Sequence, residues 1–210
     1  MVKVNVAITA TFENIKSLQP QRGVDDPDLP YFFKLQCMNC GEVCEKETCV
    51  IMSKKVANPS GKGTTNLVKK CKVCSREGTV TMVPERGCPL SLGASLYGTY
   101  ITLMGFEFNG LEPVSCSFGR GWKAESTYGS LPSISLVFVL VMGIYETTGT
   151  LFEDIDLSGA EFADFCDVGQ VPVRVSNVRA QCQVVPHWGY GSGRYRCRYG
   201  YGYGYGTRYL

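Results

Sequence analysis

Val2, Val4, Val6 and Ile8 alternate with Lys3, Asn5, Ala7 and Thr9 at the head of the chain, the period of a strand with one buried face. Short apolar-containing runs at Tyr31–Gln36, Thr48–Met52, Asn66–Lys70 and Thr79–Val83 predict further strands. Between the second and third of these, Asn58, Pro59, Ser60, Gly61, Lys62 and Gly63 favour turns and predict a chain reversal. From Ile101 to Phe108 the apolar positions alternate until Gly105 shifts the phase, as a β-bulge would. Val171, Val173 and Val175 alternate too, then the phase slips at Ser176-Asn177 before Val178, Ala180, Cys182 and Val184. No amphipathic run of helical spacing reaches about 12 residues. The pattern predicts a mainly β protein of antiparallel sheets packed as a sandwich or barrel.

Composition permits such a core, with 44% hydrophobic residues in 210, enough for one large or two small domains. The opening residues scatter their charges through the alternating pattern, without the apolar stretch of a secretory leader. The 11 cysteines are therefore expected in a reducing compartment, cytoplasmic or nuclear, where paired thiols are more often metal ligands or redox groups than disulfides.

Cys37/Cys40 and Cys71/Cys74 form two Cys-x-x-Cys pairs. Each pair closes a tight turn that aims two sulfurs at one point, and together they supply the four thiolates of a tetrahedral Zn2+ site, one per chain. With every position taken by protein, such a site is closed and structural. The intervening segment, 41–70, has 30 residues, more than the roughly 15 to 20 of a compact zinc ribbon, so it must form a long hairpin or carry a loop. Cys37, Cys40, Cys44 and Cys49 could surround a metal by themselves; the two-pair set is preferred because it accounts for Cys71 and Cys74. Cys44 and Cys49 then read as small packing residues. Cys88, Cys116, Cys166, Cys182 and Cys197 are isolated in sequence. A thioredoxin-like reading is weaker, because Cys37 follows a strand-like run and Gly41 signals a turn rather than a helix start.

The net charge of +2 points to no strongly charged partner, but its distribution is uneven. From Val50 to Arg76 there is no acidic residue, while Lys54, Lys55, Lys62, Lys69, Lys70, Lys72 and Arg76 cluster around the second knuckle. Such a stretch can meet nucleic acid phosphates; with no aromatic interleaved to stack on bases, it reads better as cations offsetting an anionic zinc–thiolate centre. Glu153, Asp154, Asp156, Glu161 and Asp164 lack the ligand spacing of a calcium loop and read as a solvated face. The sole histidine, His187, supports no Ser-His-Asp or Cys-His arrangement, and no enzyme activity is expected.

Several short motifs occur in an ordered series: Thr11-Phe12-Glu13-Asn14-Ile15, Cys37-Met38-Asn39-Cys40-Gly41-Glu42, Lys69-Lys70-Cys71-Lys72-Val73-Cys74 and Gly110-Leu111-Glu112-Pro113-Val114. Gly121-Trp122-Lys123-Ala124-Glu125-Ser126 and Phe152-Glu153-Asp154-Ile155-Asp156-Leu157 follow, and the match fades near Val175-Ser176-Asn177-Val178. In these motifs the chain resembles the eukaryotic CXXC-motif-containing zinc-binding protein family. The resemblance implies a small, mainly β protein of two similar halves, in which Cys37, Cys40, Cys71 and Cys74 bind one zinc, with no established enzymatic activity. On this reading 1–90 is a zinc-binding half and 101–185 a second half, the protein acting through protein partners of unknown identity. A nucleic-acid role for 54–76 and a thiol redox or metal-delivery role are the alternatives.

Two segments depart from the family pattern. The insert 127–149 contains Ile134 to Tyr145, 12 uncharged residues, too few to cross a bilayer that needs about 20; an extra strand, or an apolar insert translated from sequence that most relatives splice out, is expected rather than a membrane span. The tail 186–210 carries seven tyrosines, four arginines and seven glycines, a composition expected to remain disordered.

Overall fold

The computed structural model describes residues 1–61, 63–127 and 149–186. It is mainly β and antiparallel, as the alternation predicts. The strands, in chain order, are β1 (Val2–Glu13), β2 (Ile15–Pro20), β3 (Tyr31–Cys37), β4 (Thr48–Val50), β5 (Val56–Ala57), β6 (Thr64–Thr65), β7 (Leu67–Lys70) and β8 (Glu77–Val83). They continue as β9 (Leu90–Ser91), β10 (Ile101–Asn109), β11 (Leu111–Phe118), β12 (Arg120–Ser126), β13 (Leu151–Asp156), β14 (Phe162–Cys166) and β15 (Val171–Val185). A single turn of helix, α1 (Leu92–Leu96), follows β9 and is capped by the Ser91 hydroxyl, which accepts from the Ala94 N–H. Among the described residues no helix is long and apolar enough to cross a membrane.

A six-stranded sheet has the order β14-β15-β1-β10-β8-β7. A three-stranded sheet (β11-β3-β4) and a four-stranded one (β13-β12-β2-β9) accompany it, and β5 with β6 makes a small hairpin. Strands from 1–90 and 101–185 pair in every one of the three larger sheets: β1 lies between β10 and β15, β3 beside β11, and β2 beside β12. The inward side chains of β1, namely Val4, Val6 and Ile8, are completely buried. Tyr31 and Phe33 of β3 meet the Phe106 ring of β10 edge-on, at 5.2 and 5.0 Å between centroids. That aromatic layer fastens the three-stranded sheet to the six-stranded one.

Two corners have the same construction. β1 passes to β2 through Asn14 (φ 55°), and β10 passes to β11 through Gly110 (φ 70°). Each transfers the chain from the six-stranded sheet to a different sheet through one left-handed residue, a conformation that Asn and Gly adopt most readily.

The pattern breaks mostly fall where the sequence places them. The slip near Ser176-Asn177 is a register shift against Thr9 to Thr11 of β1, with Asn177 at φ 53°. The predicted reversal at 58–63 connects the paired strands β5 and β6. The irregularity in β10 lies elsewhere than expected. Val6 faces Met104 and Ala7 faces Thr102, so Leu103 is the extra residue, and the phase does not turn at Gly105. Leu103 and Met104, adjacent in sequence, are consequently both buried.

β4 ends at Val50, two residues short of the predicted strand, because the carbonyls beyond it are taken by a side chain. The buried Asn66 donates from Nδ2 to the carbonyls of Ile51, Met52 and Lys54 at 3.3, 2.9 and 3.0 Å. Its Oδ1 accepts from the Met82 N–H of β8 at 2.8 Å. One amide thereby pins the loop between the cysteine pairs to the six-stranded sheet. Asn66→Ala, which leaves these buried groups without partners, is expected to cost roughly 2–3 kcal/mol; an unchanged urea midpoint would show that the clamp contributes little.

Candidate metal centre

The first cysteine pair continues from the end of β3, and the second forms the tip of the β7–β8 hairpin. The backbone builds both in the same way. Cys37 N–H donates to the Glu42 carbonyl at 2.8 Å and Gly41 N–H to the Cys37 carbonyl at 2.9 Å. Cys71 N–H donates to the Arg76 carbonyl at 2.8 Å and Ser75 N–H to the Cys71 carbonyl at 3.1 Å. The residue after the second cysteine is left-handed in each, Gly41 at φ 76° and Ser75 at φ 57°. In each, the amide two residues beyond that cysteine, of Glu42 and of Arg76, favours a thiolate on it.

Further bonds anchor the first knuckle. Met38 N–H donates to the Gly110 carbonyl at 3.2 Å, and Gln36 Nε2 to the Gly41 carbonyl at 2.9 Å. The β10–β11 corner thus braces the end of β3.

The two knuckles face one another. Cys37 Sγ lies 3.6 Å from Cys74 Sγ and Cys40 Sγ lies 3.5 Å from Cys71 Sγ, and all four sulfurs fall within 4.8 Å of one another. Tetrahedral sulfurs at about 2.3 Å from zinc stand about 3.8 Å apart, so the spacing fits that ion. It is far too long for an S–S bond of about 2.05 Å. Among the described residues this is the one place where three or more cysteine, histidine or carboxylate groups could share a metal. Cys37 is buried, Cys71 and Cys74 are half-buried, and Cys40 is exposed.

Charge among the four thiols is shared unequally. The Arg76 N–H, the Asn39 side chain and the neighbouring thiols stabilise a thiolate on Cys74 and bring it down to about 6. On Cys40 the Glu42 N–H acts in the same sense but is outweighed by desolvation and three adjoining thiols, which push it up to about 12.

The cysteines read as small packing residues are not buried: Cys49 is exposed, while Cys44 is half-buried near Lys69, which lowers its thiol. Neither joins the four clustered sulfurs, so the set Cys37, Cys40, Cys44 and Cys49 does not assemble. Cys116 and Cys182, 66 positions apart, touch: Cys116 donates to Cys182, which raises the first thiol and lowers the second. Sequence spacing carries no signal of that contact. The acidic residues of 153–164 are spread over β13, β14 and the turn between them, with Asp154 3.7 Å from Arg120 and Glu161 3.3 Å from Arg174. His187, Cys197, most of the insert and nearly all of the tail lie outside the described residues.

An antiparallel β protein with two matched cysteine knuckles closing on one point is the class that fold and site define. The chain belongs to the eukaryotic family of CXXC motif containing zinc binding proteins, whose sequence profile matches residues 5–136. It is 29% identical to the CXXC motif containing zinc binding proteins of Bos taurus and Homo sapiens, over 86% of this chain and 98% of each relative. It is 31% identical to UPF0587 protein CG4646 of Drosophila melanogaster, over 79% of this chain and 86% of that one. The crystal structure of C1orf123 superposes with a TM-score of 0.70 at 28% identity, covering 87% of this chain and 99% of the other. A hypothetical protein from Plasmodium falciparum shares the fold, with a TM-score of 0.67 at 17% identity over 87% of this chain and 100% of that one.

The matched knuckles differ at one position in a way that experiment can read. Gly41→Ala puts a side chain on a left-handed residue with no close contact in space, and is expected to cost about 1–2 kcal/mol from backbone strain alone. Ser75→Gly relieves the same strain at the equivalent place and is expected to stay within about 0.5 kcal/mol of the parent or exceed it. Equal losses from both substitutions in urea unfolding would contradict the equivalence of the knuckles.

Proposed function

We propose that Cys37, Cys40, Cys71 and Cys74 hold one zinc ion per chain, that the ion is structural, and that the protein works through contacts with other proteins rather than by catalysis. The observation that carries this reading is the approach of four sulfurs from two knuckles to within 4.8 Å. With four protein ligands the ion keeps no open position for water or substrate. The chain's own groups prepare the site: the Glu42 and Arg76 amides support the sulfurs, and Lys70 and Lys72 flank the second knuckle near a centre of net negative charge.

A role in protein contact is supported by the knuckle tips. Met38 and Val73, 51% and 65% exposed, turn apolar side chains outward from the two Cys-x-x-Cys turns. The nucleic-acid reading is weakened by Lys69, whose ammonium already donates to the Thr48 hydroxyl. The thiol redox reading is weakened because the sulfurs pair across the knuckles, Cys37 with Cys74 and Cys40 with Cys71. We place the protein in a reducing compartment, the cytosol or nucleus, where paired thiols serve as metal ligands.

Elemental analysis of the purified chain is expected to give about one zinc per molecule, and Cys37→Ser or Cys71→Ser to lose both metal and knuckle structure. Zinc must displace the proton that Cys40 retains up to about 12, so affinity in chelator competition rises with pH. Below about 6, protons also compete for Cys74 and the dependence steepens. A metal-free protein with intact knuckles, or an affinity indifferent to pH, would overturn the assignment.

A further inference from the structure

Register places two thiols on facing inner surfaces of packed sheets. In β11, Cys116 stands opposite Phe33 of β3. Phe33 is wholly buried against Phe106 and Phe108 of β10, at 5.0 and 5.6 Å between ring centroids. In β15, Cys182 stands opposite Val6 of β1, which is wholly buried too. Residues directly opposite in an antiparallel ladder share a face, so both cysteines turn into the space between the three-stranded and six-stranded sheets. Both are half-buried and pack on the core, and there Cys116 meets Cys182.

The pair sits where that space opens to solvent. Among the described residues, β14 reaches β15 only at Val171–Val175, so at Cys182 the strand has one ladder neighbour, β1. β11 is the edge strand of its own sheet, beside β3 alone. Val184, the next residue of β15 on the face of Cys182, is 64% exposed. The metal cluster is separate: in the same β3–β11 ladder Cys37 stands opposite Leu111, on the order of 15 Å along the strand from Cys116.

We propose that Cys116 and Cys182 form a reversible disulfide when hydrogen peroxide reaches this margin, a second link between the two sheets that the cysteine knuckles join. One sulfur attacks a peroxide oxygen as a thiolate. An S–O bond forms, the O–O bond breaks and hydroxide leaves, giving a sulfenic acid. The other sulfur then attacks that sulfenic sulfur, so that the S–S bond forms and the S–O bond breaks. The two protons of the thiols join the two departing hydroxides as water. Two electrons pass from the thiols to peroxide. In a reducing compartment such a bond is transient, and a small thiol of the glutathione type returns it to two thiols by exchange.

The test treats the zinc-loaded full chain with hydrogen peroxide at neutral pH, maps disulfides by mass spectrometry of unreduced peptides, and follows released zinc with an indicator dye. The expected product joins Cys116 to Cys182 within one chain, with zinc retained, and disappears on adding glutathione. Cys116→Ser and Cys182→Ser each lack the second thiol. One of the two variants is expected to trap at least about tenfold more sulfenic acid on its remaining cysteine, read with dimedone, than the parent does. Cys116 and Cys182 still open to alkylation after peroxide, a disulfide between chains, or dimedone labelling of both variants equal to the parent's would overturn the proposal and leave the metal assignment standing. Disulfides among Cys37, Cys40, Cys71 and Cys74 with loss of zinc, while Cys116 and Cys182 stay reduced, would overturn both this proposal and the structural role of the ion.

Discussion

Four sulfurs brought to one point from two different sheets are the constraint around which the amino-terminal part of this protein is organised. Cys37 ends a strand of the three-stranded sheet, and Cys71 and Cys74 cap a hairpin at the edge of the six-stranded one. Neither knuckle has a large apolar face of its own. Their mutual position is set by the sulfur cluster, by the backbone bond from Met38 to Gly110, and by the packing of β3 on β10 behind them. A bound divalent ion would make this junction far stronger than those contacts can, because its binding free energy is also folding free energy.

The core supplies the frame that makes such a closure possible. β1 is paired on both sides, and its three innermost side chains are wholly buried. The two left-handed corners at Asn14 and Gly110 carry the chain off that central sheet. The second of them lies beside the first knuckle, so the geometry of the β sheets and that of the cysteine cluster meet at one turn. Asn66 performs the complementary task for the long inter-knuckle segment, holding Ile51 to Lys54 against β8 through a single amide. Without such a pin, the 30 residues of 41–70 would be ordered mainly by the four short strands β4 to β7.

The cluster was legible from the sequence because metal ligands obey a local rule: Cys-x-x-Cys aims two sulfurs together whatever the tertiary context. Alternating valines announced β1 and β15 for the same kind of reason, since period-two patterning is local. The bulge at Leu103 was misplaced because register depends on the partner strand, and nothing in 101–108 states that Val6 and Ala7 will face Met104 and Thr102. The thiol contact of Cys116 with Cys182 and the placement of Lys69 against Cys44 are products of folding between distant or opposed segments. Asn66 gave no signal because, at the head of a run read as a strand, its partners lie in the segment 51–54 and in β8 and leave no mark on the local pattern. Ser75 concealed the equivalence of the knuckles, since serine does not advertise the left-handed conformation that Gly41 does.

Amide hydrogen exchange on the metal-loaded and chelator-treated chain tests the central claim most directly, because it reports each segment separately. If one ion joins the two sheets, removing it must release Cys37 to Glu42 and Cys71 to Arg76 together, along with the adjoining ends of β3 and β7, while β1, β10 and β15 remain protected. Protection unchanged at both knuckles, or lost at one and kept at the other, would contradict it.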